Sequence, residues 1–168
     1  MSQLIKNGTA AVDSWKTLEI GEGETPETIA LPAGDVLFPL AVWQARQAEL
    51  IGRERLGLLL QPDDKVEDVA ADVARFALIA VNFPKFVDGR GYSTAALLRQ
   101  RYGYTGELRA VGNVLHDQLF FMKRVGFNSY ALAEGKNLAY AIEQGFAPFG
   151  DAYQGATDQP QPYFRRRA

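Results

Sequence analysis

Cysteine is missing from all 168 residues, and its absence excludes several chemistries at once. Thiolate nucleophiles, dithiol redox exchange, zinc ribbons and cysteine-held iron–sulfur clusters all need it, so a redox role would require a borrowed cofactor. Histidine is nearly as scarce: His116 stands alone and cannot build the usual multi-histidine centre, so no metal is expected. No apolar run approaches the roughly 20 residues that span a bilayer, and the opening "MSQLIKNGTA" has no signal-peptide core. The expectation is a cytoplasmic protein with no membrane partner. A formal charge of −2 gives no overall pull toward nucleic acid, although the end, "YFRRRA", is locally basic.

What is present reads as a globular chain. Hydrophobic residues make up 47% and charged residues 23%, values that suit one domain with a real core and exclude disorder of the whole chain. Residues 1–34 read as a hairpin and connector. "QLIK" and "TAAV" flank Asn7-Gly8, a pair that tolerates the positive backbone angles of a tight turn, and "GEGETPETIALPAGD" has no apolar period.

Residues 35–150 alternate short apolar runs with amphipathic stretches. "DVLFPL", "RLGLLLQ", "ALIAVNF", "ELRAVGN" and "SYALA" each precede a helix-like segment. In the second such segment Val66, Val69, Ala70 and Val73 share a helical face, as do Leu115, Leu119 and Met122 in the fourth. Gly103, Gly126 and Gly145 fall where helix C-caps are wanted. About five βα units are therefore expected, forming a mostly parallel sheet covered on its faces. Either an open doubly wound sheet or a partial TIM-like barrel satisfies the pattern. Residues 151–168 read as an extended basic tail, either a solubilising terminus or a partner-binding segment anchored by Tyr163, Phe164, Arg165, Arg166 and Arg167.

The candidate site follows from the topology. Strands of a parallel sheet all end on one edge, and ligands gather there. "PKFVDGRGYS" leaves the third apolar run at that edge and "GNVLHDQ" leaves the fourth, so Lys85, Asp88, Arg90 and Tyr92 are expected near Asn113, His116, Asp117 and Gln118. Gly89 and Gly91 would let the backbone turn and approach a ligand, Ser93 or Thr94 would cap the next helix, and Lys85 with Arg90 would receive an anion. The alternative reading is a plain turn with solvated charges.

"GRGYST" matches G-x-G-x-x-G only in part, and no carboxylate ends the next strand, so no cofactor is encoded by a clear motif. His116 and Asp117 are weak candidates for acid–base work, because adjacent helical residues point about 100° apart. Arg109 interrupts a strand that otherwise reads as buried. Either it faces a polar crevice or it pairs with an acid such as Glu107.

With "ALIAVNFPKFVDGRGYSTAALLRQRYGYTGELRAVGNVLHDQLFFMKRVGF" and the terminal "QPYFRRR", nearly the whole chain, from "LIKNG" to "FRRR", resembles the bacterial family catalogued as domain of unknown function 934. Members carry the label of oxidoreductases of sulfite reduction, and their genes neighbour those for sulfite reductase. Asn113 stands where that family's pattern is expected to read aspartate. The resemblance implies a role in assimilatory sulfite reduction with no catalytic residues to carry over, and the missing cysteine, dinucleotide fingerprint and metal cluster favour an accessory one, with sulfite reductase as a partner. The alternative is a small α/β enzyme or oxidoreductase binding an oxyanion or phosphorylated ligand at the sheet edge. Self-association is also expected, because an incompletely closed sheet exposes edges.

Overall fold

The computed structural model describes residues 3–146 and 151–166. Eight strands form one sheet in the order β2-β1-β8-β7-β6-β5-β4-β3. They are β1 (Gln3–Lys6), β2 (Thr9–Val12), β3 (Lys16–Thr17), β4 (Val36–Pro39), β5 (Gly57–Leu60), β6 (Leu78–Phe83), β7 (Glu107–Gly112) and β8 (Ser129–Tyr130). From β3 to β8 every neighbouring pair is parallel, including β6 with β7. The N-terminal ribbon is antiparallel within itself and against β8, with Asn7 and Gly8 both at positive φ in its turn. The expected hairpin and mostly parallel sheet are thus present.

Chain connectivity decides whether the sheet is flat. Its two edge strands, β2 and β3, are separated by only Asp13, Ser14 and Trp15. A flat sheet of eight strands would hold its edges roughly 34 Å apart, whereas that link reaches roughly 14 Å. The sheet therefore curls into a half-barrel, and the doubly wound alternative is set aside.

Alternation along the strands sorts the two faces. Leu58, Leu60, Ile79, Val81, Phe83, Leu108 and Ala110 belong to the large core beneath the helices. Leu37, Leu59, Leu78 and Ala80 form a second cluster with Trp15 and Val111 on the opposite, concave side. Gly57 admits the Trp15 ring there, since a Cβ would lie 2.5 Å from it.

Helices α1 (Leu40–Leu50), α2 (Arg90–Ala96), α3 (Leu119–Val125) and α4 (Leu138–Gln144) follow β4, β6, β7 and β8. The second expected helix is different. After β5 the chain makes two 3-10 turns, Val66–Val69 and Val73–Arg75, so five regular βα units do not form. Val66, Val69 and Val73 are still buried. The i, i+3 spacing shared by a 3-10 turn and an α-helix serves both, and length decides between them.

The tail is not simply extended. It contains a helical turn, α5 (Tyr163–Arg166), and is tied to the body by Thr157 N–H donating to the Arg124 carbonyl at 3.1 Å and by Gln100 donating to the Thr157 hydroxyl at 2.9 Å.

Candidate functional site

The loops after β6 and β7 do meet at the C-terminal edge. Asn113 N–H donates to the Phe83 carbonyl at 2.7 Å, joining the ends of the two strands. Gly112, at φ +93°, is required here: a Cβ would sit 2.4 Å from Asn82 Oδ1 and 2.6 Å from the Phe83 carbonyl oxygen. Freed by that glycine, the Asn82 amide donates to Gln61 at 2.8 Å and links β6 to the chain leaving β5.

Within the first loop, Asp88 occupies the place expected for a ligand. Its carboxylate accepts the Arg90 backbone N–H at 3.2 Å and the Arg90 guanidinium at 3.0 and 2.7 Å. Arg90 also pairs with Asp63. These bonds lower the Asp88 carboxyl below its ordinary value, chiefly through Arg90, and raise the guanidinium's. Lys85 is exposed and has no ion pair among the described residues.

Helix α2 begins at Arg90, with exposed Gly89 as N-cap and no side-chain cap bond. Ser93 and Thr94 therefore sit inside the helix rather than before it. The boundary moved because Asp88 caps the first amide through an Asx-type bond. Gly91 has a packing reason and not a φ reason: it is buried, and a Cβ there would lie 2.5 Å from the Phe83 ring.

The second loop supplies the neighbours. Tyr92 packs edge-on against Phe83 at 5.4 Å. Burial raises its phenol, the Asp117 charge adds to that, and a hydrogen bond with Gln118 opposes both. Gln118 is buried and accepts the Leu115 N–H at 2.9 Å, which fixes the turn. His116 and Asp117 are both exposed, and His116 meets the Tyr140 ring at 5.1 Å rather than Asp117. Among the described residues no cluster of three His, Asp or Glu side chains is arranged to hold a metal ion.

Arg109 belongs elsewhere. It lies three residues before Gly112 on β7, roughly 10 Å down the strand, and only 2% of it is exposed. Its guanidinium donates to Glu107 at 2.7 and 3.1 Å, to Asp13 at 2.8 Å and to the Ser129 hydroxyl at 3.3 Å. Lys6 reaches Glu107 from β1. The pairing with Glu107 was one of the two readings open from sequence. The second acid, Asp13, lies 96 positions away and has no local signal.

Burial pushes the Glu107 carboxyl up, but Lys6 and Arg109 outweigh it and hold the group below its ordinary value. A carboxyl depressed in the folded state stabilises above its unfolded value and loses that contribution as pH falls through the folded one. The stability of Glu107→Gln should therefore fall less steeply than the parent's below about pH 4.5. Urea unfolding across pH 3 to 7 checks this, and parallel curves would refute it.

Phe86 and Val87 were not singled out from the sequence. They are 51% and 85% exposed in the same loop, beside Lys85. Of the tail anchors, Tyr163 is half-buried and Phe164 is 60% exposed. Arg165 is exposed and lies over the Phe164 ring, Arg166 pairs with Asp151 at 2.9 Å, and Arg167 lies outside the described residues.

Comparison with known proteins bears on the block that carries this loop. A family model described as "bacterial protein of unknown function (DUF934)" matches residues 57–164, more than half of the chain. The chain belongs to the DUF934 family. No curated protein and no solved structure matches it. In this DUF934 protein the matched region contains strands β5 to β8 and both loops of the candidate site. The N-terminal ribbon and the Asp13 partner of Arg109 lie before it. No helix among the described residues is long and apolar enough to cross a membrane.

Proposed function

We propose that this protein is an accessory component of assimilatory sulfite reduction, built on a partial TIM-like barrel, which docks a protein partner through the loop after β6. Sulfite reductase is the expected partner and the cytoplasm the expected place. One observation carries the docking reading: Phe86 and Val87, 51% and 85% exposed, stand beside the exposed Lys85 at the C-terminal edge. Large apolar side chains set among polar groups on a loop are what protein contacts bury. Arg90 is less suited to capturing a free anion, because two carboxylates already hold its guanidinium.

A small oxyanion-binding enzyme is the second reading, and Lys85 supports it as an exposed cation with no ion pair among the described residues. Two measurements separate the readings. Deletion of the gene should leave growth on sulfide intact while abolishing growth on sulfate and on sulfite, which places the defect at sulfite reduction. A deletion strain that grows on sulfite would refute that placement.

Phe86→Ser combined with Val87→Ser should then fail to complement and fail to retain sulfite reductase in a pull-down, with an unchanged melting temperature. Both side chains are exposed, so the fold has little to lose. Full complementation by this double variant would remove docking from the loop. Saturable binding of sulfite or phosphate that is lost in Lys85→Ala would favour the enzyme. Arg90→Ala should melt as the parent does, since its ion pairs are at the surface.

A further inference from the structure

We infer that the surface between α3, the hairpin turn and the C-terminal tail is a binding site for a small organic anion, independent of the loop after β6. Two cavities adjoin there. One, of about 250 Å³, is polar and is lined by Phe120, Lys123, Arg124, Asp151, Asp158 and Arg166 among others. The other, of about 350 Å³, has Phe127, Tyr130, Ile142 and Phe146 as apolar lining and Asn7 and Asn128 at its polar side. Lys123 and Phe146 line both.

The sequence builds this wall by helical spacing. Phe120, Lys123 and Arg124 stand at i, i+3 and i+4 on α3 and so share one face. The tail supplies the facing wall, held by Arg124 to Asp158 at 2.9 Å and by Thr157 N–H to the Arg124 carbonyl.

Charge is left over in the polar cavity. Asp158 is taken by Arg124 and Asp151 by Arg166, so Lys123 has no carboxylate partner among the described residues. An anionic oxygen in this cavity would neutralise Lys123 and lie among the Arg124 and Arg166 side chains that also line it.

The second cavity selects the rest of the ligand. The Tyr130 hydroxyl is already donated to the Phe127 carbonyl at 2.7 Å, and its ring packs on Phe146 at 5.2 Å. What remains for a ligand is apolar ring surface. The two cavities together suit a molecule with one ring or short acyl group and one phosphate or carboxylate. Asn7 N–H bonds the Asn128 carbonyl just before β8, which places the site at the N-terminal end of that strand, away from residues 84–89.

Calorimetric titration of the full chain with phenyl phosphate, benzoate, inorganic phosphate and phenol tests the inference. Phenyl phosphate or benzoate should bind about tenfold more tightly than inorganic phosphate or phenol, because only they fill both cavities. Lys123→Ala should weaken that binding about tenfold or more with an unchanged melting temperature, since Lys123 is exposed and has no ion pair among the described residues. Arg166→Gln should weaken it as well. Should that variant release the tail, Lys123→Ala still gives the answer. Failure of both phenyl phosphate and benzoate to bind saturably would overturn the site, as would unchanged affinity in Lys123→Ala. Equal affinity for inorganic phosphate would overturn the joint use of the two cavities.

Discussion

Replacing Arg109 with alanine is expected to cost about 3–5 kcal/mol of folding stability, the cost typical of removing one partner from a buried ion pair. The magnitude follows from what is left behind. Glu107 and Asp13 have side chains only 9% and 15% exposed, and each would lose the cation that compensates its burial. Lys6 remains on Glu107, but Asp13 has no second cation among the described residues. The loss has a topological consequence as well. Asp13 lies in the link between the two sheet edges, so Arg109 on β7 holds that crossing against the concave face.

Urea unfolding measures the cost, and amide exchange should show residues 13–17 losing protection first. Combining Asp13→Asn, Glu107→Gln and Arg109→Met should cost less than Arg109→Ala alone, because no unpaired charge is left buried. A single-variant loss under about 1 kcal/mol would show that water reaches the cluster and screens it.

Gly91→Val is expected to destabilise by about 1–3 kcal/mol or more, the range for overpacking a dense core. The new Cβ alone would lie 2.5 Å from the Phe83 ring, closer than real carbon atoms approach. Some side chains could swing away, but Phe83 is 1% exposed and is enclosed by Tyr92 at 5.4 Å and Phe127 at 5.8 Å. Close-packed interiors transmit such a shift rather than absorb it.

Gly89→Val is the matched control, two residues away, exposed, at φ −89° and with open space around its Cβ. It should lower the urea midpoint much less than Gly91→Val does, losing only the preference of the α2 N-cap for glycine over valine. Similar midpoints for the two variants would mean that the Phe83 ring can turn aside, and the packing role of Gly91 would fall.

Local pattern alone carried the strands, the Asn7-Gly8 turn and the meeting of two loops at one edge. Period and composition act through neighbours in the chain: an apolar run between helical patterns must be a covered parallel strand, and parallel strands all end on the same side. The same logic brought Tyr92 to Asp117 and Gln118 without knowledge of any distance.

What tertiary structure alone decided depends on partners far apart in sequence. The curl of the sheet follows from β2 and β3 being consecutive in the chain yet opposite in the sheet, which no local window contains. Arg90 looked free because Asp63 is 27 positions away, and Gly91 looked like a turn residue because the ring it admits belongs to the preceding strand. The segment after β5 carried a sound apolar face but formed 3-10 turns, since i, i+3 spacing fits both helices and the short length of each piece decides between them. Arg109 was visible as an anomaly within a buried strand. Its second acid, Asp13, became visible only when the sheet curled and brought the N-terminal link across its concave face, because a buried charge is compensated by whatever the fold places beside it.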